Sequence, residues 1–429
     1  MNGLLKFMEK GARWFYLHGW QYRTIGGVHE RRVAEVSSRG RCRVVFIAMN
    51  RVMWRYQHLL ELIDGDDRFE VKVVLSPCLN LSVEQQHTDM EGLRKYFKEK
   101  GVEFVDYDFE ATPYDFGTDF DPDLVFYPQP YEHLLVPAHD CLSHYNRLLC
   151  YYPYAYMTGK GKFFYDFHFH NLAWRLYYSN DTILEEARKT AWNHGRNVRI
   201  VGYPNADDFF KPEFRQVWKR IDEGRERKRL IWAPHFSLGD TFGLVGHGGF
   251  IWMSFFMLDL AQRYKEHLQI AFKPHPRLLS ELYKHPDWGK ERADAYYRQW
   301  AEMENTQLET GDHVDLFMTS DAMVHDSGSF VVEYMFTHKP VMYAMRNLDR
   351  YLASQTEFSR EAIGLHYHGA NEREVMDFID FTVLGGEDPL AEKREGFYNR
   401  YLKPIGGKTV AQNTLDDLVA SLRLPDRNE

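Results

Sequence analysis

Three short polar clusters, each opening where an apolar run closes, hold the residues best suited to chemistry. Pro234-His235-Phe236-Ser237 follows Leu230-Ile231-Trp232-Ala233, and Lys273-Pro274-His275-Pro276 follows Ile270-Ala271-Phe272. His325-Asp326-Ser327-Gly328-Ser329 follows Ala322-Met323-Val324 and runs straight into an apolar helical pattern, 330–337. A cation and an imidazole at a strand's carboxyl end meet anionic ligands, and flanking prolines stiffen the loop. His235 suits either phosphate binding as imidazolium or general-base work. A strand that turns through small polar residues into a helix N-terminus presents unpaired N–H groups to phosphate. Gly328 permits close approach there, and Ser327 and Ser329 add hydroxyls. One serine would suffice for a helix cap, whereas three small polar residues together point to a ligand. Glu333 falls one position past the place a capping box uses. It reads as a first-turn acid favoured by the dipole or as a ligand of a ribose.

Other constellations carry less. His168-Phe169-His170 would place two imidazoles on one face of an extended strand, but no third metal ligand is near. Asp106-Tyr107-Asp108 and Asp119-Phe120-Asp121 are short acidic pairs of a kind common in loops. No metal and no cofactor is therefore expected. Gly243, Gly246, His247, Gly248 and Gly249 form a glycine-rich loop too irregular for a dinucleotide fingerprint, and it lacks the P-loop lysine. Tyr151-Tyr152-Pro153-Tyr154, with Tyr156 and Thr158-Gly159-Lys160, is a candidate acceptor surface.

The elements that must position these clusters alternate. Strands are expected at 44–48, 69–75, 102–107, 124–127, 148–152, 176–179, 198–201, 230–233, 268–272, 322–324 and 341–344. Helices are expected at 53–63, 84–100, 182–192, 250–264 and 410–422, with Asp312 as N-cap of another over 313–319. Repeated βαβ units mean parallel, doubly wound sheets. The charged stretch 211–229 reads as a crossing segment between two α/β halves with a ligand cleft between them. The division expected is a basic amphipathic segment 1–42, a Rossmann-like domain 43–210 and a second Rossmann-like domain 229–429.

At 429 residues the chain is long for a single core, so two domains are the natural prior. A net charge of −9 argues against a nucleic-acid partner. Residues 1–43 run the other way, with nine Lys/Arg against Glu9, Glu30 and Glu35, a local balance of +6. Leucines, Phe7, Trp14 and Trp20 are interleaved with those charges, which suits an anionic bilayer surface or a helix packed on the first domain. Four scattered cysteines have no metal or redox spacing and read as reduced, cytoplasmic thiols. No apolar run is long enough to span a membrane, and no signal peptide is visible.

Lys273-Pro274-His275-Pro276, taken with His313-Val314-Asp315-Leu316-Phe317, Ser320-Asp321, His325 to Ser329, Glu333 and Lys339-Pro340-Val341, resembles the CDP-glycerol glycerophosphotransferase family. The likeness is strongest over about residues 229–345. It implies a GT-B architecture whose C-terminal domain holds a CDP-polyol donor. It also implies transfer of glycerol phosphate to a hydroxyl in teichoic-acid or capsule synthesis, at the inner membrane surface, with a lipid-linked or glycan acceptor. Carried across, His275 and Pro276 meet donor phosphate, and Asp326, Ser327, Gly328 and Ser329 hold the pyrophosphate, with Lys273, His325 and Glu333 beside them. The family's acceptor-domain His-Gly-x-Pro has no match; Tyr152-Pro153-Tyr154-Ala155-Tyr156 stands in that region. Its Ala-Pro-Thr becomes Ala233-Pro234-His235, so either His235 is the base or this branch uses another acceptor. The catalytic pair expected is His235 and His275. Alternatives are a nucleotide-sugar glycosyltransferase, a GT-B-like epimerase, or a non-catalytic scaffold of capsule assembly.

Overall fold

The structure, a computed structural model, describes residues 2–221, 226–238 and 248–426, with side chains from residue 19 onward. It divides into two compact units, 1–207 with 404–429, and 208–403.

The first unit carries seven strands: β1 Cys42–Ala48, β2 Phe69–Leu75, β3 Phe104–Val105, β4 Leu124–Tyr127, β5 Leu148–Tyr151, β6 Arg175–Tyr178 and β7 Val198–Ile200. They pair in the order β3-β2-β1-β4-β5-β6-β7, all parallel. The central strands are continuous apolar runs because helices cover both faces of a parallel sheet, as Val44 to Ile47 and Leu124 to Phe126 show by being fully buried. The expected strand at 102–107 shrinks to two residues. It lies at the sheet edge, and Asp106 beyond it turns to pair with Arg94.

The basic N-terminus is a helix, Asn2–Arg39. Its second half is a packed element of the first unit, burying Ile25, Val33 and Val36. Tyr22 Oη lies 2.8 Å from His168 Nδ1, and Arg32 Nε donates to the Asn146 carbonyl. Residues 1–42 are thus part of that unit, so the separate segment expected there is corrected. The C-terminus needs a second correction. Helix Val410–Leu422, expected in the second domain, belongs to the first unit, where Asp207 accepts the N–H groups of Val410 and Ala411 at its start. Its buried Thr414 also accepts the Tyr152 hydroxyl.

The second unit holds β8 Lys228–Ala233, β9 Leu268–Phe272, β10 Thr306–Leu308, β11 Ala322–His325, β12 Val341–Tyr343 and β13 Tyr367–His368, in the parallel order β10-β9-β8-β11-β12-β13. β10 and β13 are too short and too polar for periodicity to expose them. Trp232, Phe250, Phe272, Tyr296 and Trp300 form the centre of this core, with Trp232 stacked on Phe272 at 4.9 Å. Burial of such side chains contributes roughly 1.5–3 kcal/mol each. The chain leaves β8 for β9 on one side and reaches β11 on the other, so the order reverses between β8 and β11. In open α/β sheets that reversal, at the carboxyl ends of the strands, is where ligands bind.

Candidate active site

β8 and β11 are neighbours in register, Ala233 opposite His325. The next residues therefore emerge side by side at the reversal: Pro234-His235 from β8 and Asp326-Ser327 from β11. Asp326 fastens them. Its buried carboxylate accepts the backbone N–H of His235 through Oδ1 (2.5 Å) and that of Gly249 through Oδ2. Gly249 precedes helix Phe250–Arg263, and a Cβ there would sit 3.1 Å from the Ala344 carbonyl and 3.2 Å from Asp326 Oδ2. Glycine lets that helix start close to the carboxylate, where a side chain would push its neighbours back by a few tenths of an ångström. Burial raises the Asp326 carboxyl to about 7, opposed by the N–H bonds it accepts. Asp326, expected to bind phosphate, is instead the brace of the site, because both of its oxygens are taken by backbone.

The loop after β9 joins the same corner. The His275 N–H donates to the Pro234 carbonyl at 3.0 Å, and the rings of His235 and His275 lie 5.2 Å apart. The Arg277 N–H donates to His275 Nδ1 at 3.1 Å, which leaves the ring proton on Nε2. Burial, reinforced by Arg277, lowers His275 to about 4, so the ring meets an anion as a neutral donor. His235 Nδ1 lies 2.9 Å from Ser237 Oγ. Pro276 is exposed and stiffens the turn into helix Leu278–Lys284.

The remaining site residues divide. Ser327, Gly328 and Ser329 form the turn into a single α turn, Phe330–Glu333, continued as 3-10 helix to Thr337. So short a helix has little macrodipole, and any anion affinity here rests on local donors. Ser329 makes no side-chain cap bond, which removes the plain capping role. The Ser327 N–H, expected to face phosphate, lies instead 3.2 Å from His325 Nδ1 inside the core. Lys273 is buried and its ammonium donates to the Gly311 carbonyl at 2.6 Å. Burial lowers its pKa against the pull of Glu309, Asp312 and Glu333. It supports the loop after β10. Glu333, only 2% exposed, sits 2.9 Å from His313 Nε2. The N-cap of helix Val314–Thr319 is His313, not Asp312.

Other expectations fall outside this corner. Gly243, Gly246 and His247 lie outside the described residues. His168 and His170 sit on a short helix, His168–Leu172, where positions two apart face different sides, so the extended pair does not exist. Tyr151 and Tyr152 are core side chains, Tyr152 stacked on Tyr56, because β5 is a central strand. Tyr154 stays half-buried, its hydroxyl 3.1 Å from that of Tyr131. His366, packed on His325, entered no sequence reading of the site, because its partner is tertiary.

Known proteins give this geometry its setting. Across 90% of the chain, the structure is similar to the S. aureus MnaA–UDP co-structure, with 98% of that chain covered, a TM-score of 0.58 and 14% identity. It is similar to the wall teichoic acid polymerase TagF soaked with CDPG, with 90% of each chain covered, a TM-score of 0.57 and 13% identity. These likenesses show the fold: two parallel-sheet α/β units of the GT-B kind. A 70-residue stretch, 16% of the chain, is 46% identical to the UDP-N-acetylenolpyruvoylglucosamine reductase of Geotalea uraniireducens (strain Rf4), of which the match covers 23%. No helix of the described residues is long and apolar enough to cross a membrane. Residues 158–409, more than half of the chain and all of its second unit, match the family described as CDP-Glycerol:Poly(glycerophosphate) glycerophosphotransferase, and the chain belongs to that family.

Proposed function

We propose that the chain transfers glycerol phosphate from CDP-glycerol to a hydroxyl of a growing cell-surface polymer. The observation that supports it is the corner where β8, β9 and β11 bring His235, His275 and the Ser327–Ser329 turn together. The acceptor oxygen attacks the phosphorus bearing glycerol. Its proton passes to His235 Nε2, the bond from that phosphorus to the bridging oxygen breaks, and CMP leaves. The Ser237 N–H donates to His235 Nδ1 at 3.3 Å and Ser237 Oγ lies 2.9 Å from the same atom; for the base step the ring proton sits on Nδ1, given to Oγ, and Nε2 is bare. Neutral His275 donates from Nε2 to a donor phosphate, joined by the serine hydroxyls. Catalysis then consists of positioning and electrostatic stabilisation.

Thermal shift tests the donor. CDP-glycerol and CMP at about 100-fold over Kd are expected to stabilise by ~2.7 kcal/mol, roughly 5–10 °C. Ser327→Ala and His275→Ala should lose most of that shift. Stabilisation by UDP-sugars alone would replace this reading with an epimerase or glycosyltransferase, and no shift with any nucleotide would leave a scaffold.

The basic N-terminal helix further supports work at the inner face of an anionic membrane, with Trp20 60% exposed and Arg31 and Arg32 on the same segment. The full chain should float with phosphatidylglycerol vesicles and not with phosphatidylcholine ones. Deletion of residues 2–18, which removes Lys6, Lys10, Arg13 and Trp14, should weaken flotation, and equal flotation with both lipids would refute an electrostatic surface.

A further inference from the structure

The pyrophosphate of a nucleoside-diphosphate donor is a dianion, and a site for it needs positive charge as well as neutral donors. Among the described residues, the loops after β8, β9 and β11 carry two Lys or Arg side chains, Lys273 and Arg277. Lys273 is turned inward, its ammonium held by the Gly311 carbonyl. His275 is kept uncharged by burial, reinforced by Arg277. That leaves the guanidinium. Its carbon lies 4.3 Å from the centroid of the Phe236 ring. The same ring lies 4.3 Å from that of His235 and 4.6 Å from that of His275. Phe236 therefore gathers Arg277 and both imidazoles around one ring, at the ends of β8 and β9. Of the five guanidinium N–H groups, one on Nη2 reaches Glu281 Oε1 at 3.5 Å, and the others meet no acceptor among the described residues.

We propose that Arg277 supplies the positive charge for the donor's pyrophosphate, pairing with phosphate oxygens beside His275. A planar guanidinium fork matches two phosphate oxygens at once, and stacking on an aromatic face holds the fork without using its donors. The backbone completes the placement. The Arg277 N–H is bound to His275 Nδ1 at 3.1 Å, and Pro276 stiffens the residue between them, so cation and imidazole are fixed relative to each other. The partner one turn along helix Leu278–Lys284 is a weak competitor. The Arg277 side chain is 54% exposed, and an ion pair that open to water gives way to a more highly charged phosphate. Charge on the pyrophosphate is present before transfer begins. Arg277 therefore acts on the binding of the donor, whereas His235 acts on the rate of transfer.

The identity of the ligand rests on the CDP-glycerol reading above; the anion site does not, so inorganic pyrophosphate serves as a second probe. By calorimetry on the full chain, Arg277→Gln should weaken CDP-glycerol and pyrophosphate about tenfold each. Donor KM should rise as much, with kcat within about threefold of the parent. Arg277→Lys keeps the charge, loses the fork and should fall between the two. Raising salt from about 50 to 500 mM should weaken the parent more than Arg277→Gln, which lacks the charge being screened. Glu281→Gln frees the guanidinium and should bind both ligands at least as tightly as the parent. Arg277→Gln binding both ligands as tightly as the parent, or Glu281→Gln weakening them as much as Arg277→Gln does, would overturn the proposal. Pyrophosphate binding that depends on Arg277, with no binding of CDP-glycerol, would uphold the cation and remove the donor reading. CDP-glycerol binding indifferent to Arg277→Gln would keep the donor reading and remove the cation.

Discussion

His235→Ala is expected to lower kcat for glycerophosphate transfer by about 10²–10⁴-fold, the usual contribution of a positioned general base. That corresponds to ~2.7–5.4 kcal/mol of barrier. The loss should fall on kcat, with donor KM and the thermal shift by CDP-glycerol held within about twofold, because a base acts on the acceptor proton. Ser237→Ala should show a smaller loss of the same kind, about tenfold, since Ser237 Oγ sits 2.9 Å from Nδ1 and orients the ring without touching substrate. Backbone placement of His235 does not depend on its side chain: its N–H stays bound to Asp326. Single-turnover transfer assays with CDP-glycerol decide it, and a His235→Ala enzyme within about threefold of the parent would move the base elsewhere.

Asp326→Asn should be nearly as damaging for a different reason. An amide offers one acceptor where the carboxylate offers two, so either the His235 or the Gly249 N–H is left facing an NH₂ group. An unsatisfied buried donor costs about 1–3 kcal/mol. The loop bearing His235 and the start of helix Phe250–Arg263 would shift with it, and a misplacement of about 1 Å costs on the order of 10² in rate. Transfer activity should therefore drop by about 100-fold. Stability should also depend on pH in a definite direction. Burial raises the Asp326 carboxyl from 3.8 to about 7, so the folded state holds this proton more tightly than the unfolded chain does. Its stabilising contribution is fully present below pH 3.8 and is lost as pH rises through about 7. The asparagine variant has no such titration. The advantage of the parent in thermal unfolding should shrink between about pH 5 and pH 8. An advantage that grows over that range would mean that the carboxylate is favoured in the fold.

Much of the architecture was legible because parallel strands buried on both faces are written as unbroken apolar runs. Phe69–Leu75, Leu124–Tyr127 and Leu268–Phe272 have the expected bounds, and so does helix Val410–Leu422. The polar clusters that follow β8, β9 and β11 were legible for the same reason: a strand's end is visible, and ligands collect at such ends. What those clusters do was less so. Asp326 and Ser327 both read as phosphate ligands from their types and spacing. One proved to be a brace for two backbone amides, and the other directs its N–H to a buried histidine.

The sequence by itself determined the two parallel α/β cycles, the family likeness and the three strand ends at which chemistry gathers, because these depend on periodicity and on local order. Only the tertiary structure decided that Lys273 supports a loop, that Helix Val410–Leu422 crosses back to the first unit, and that His366 lies against His325. Each of those outcomes is a contact between residues at least 38 positions apart, from Lys273 to Gly311, or 203 apart, from Asp207 to Val410. No local pattern records which distant partner a buried polar group will find; the packing of the sheets and helices assigns it.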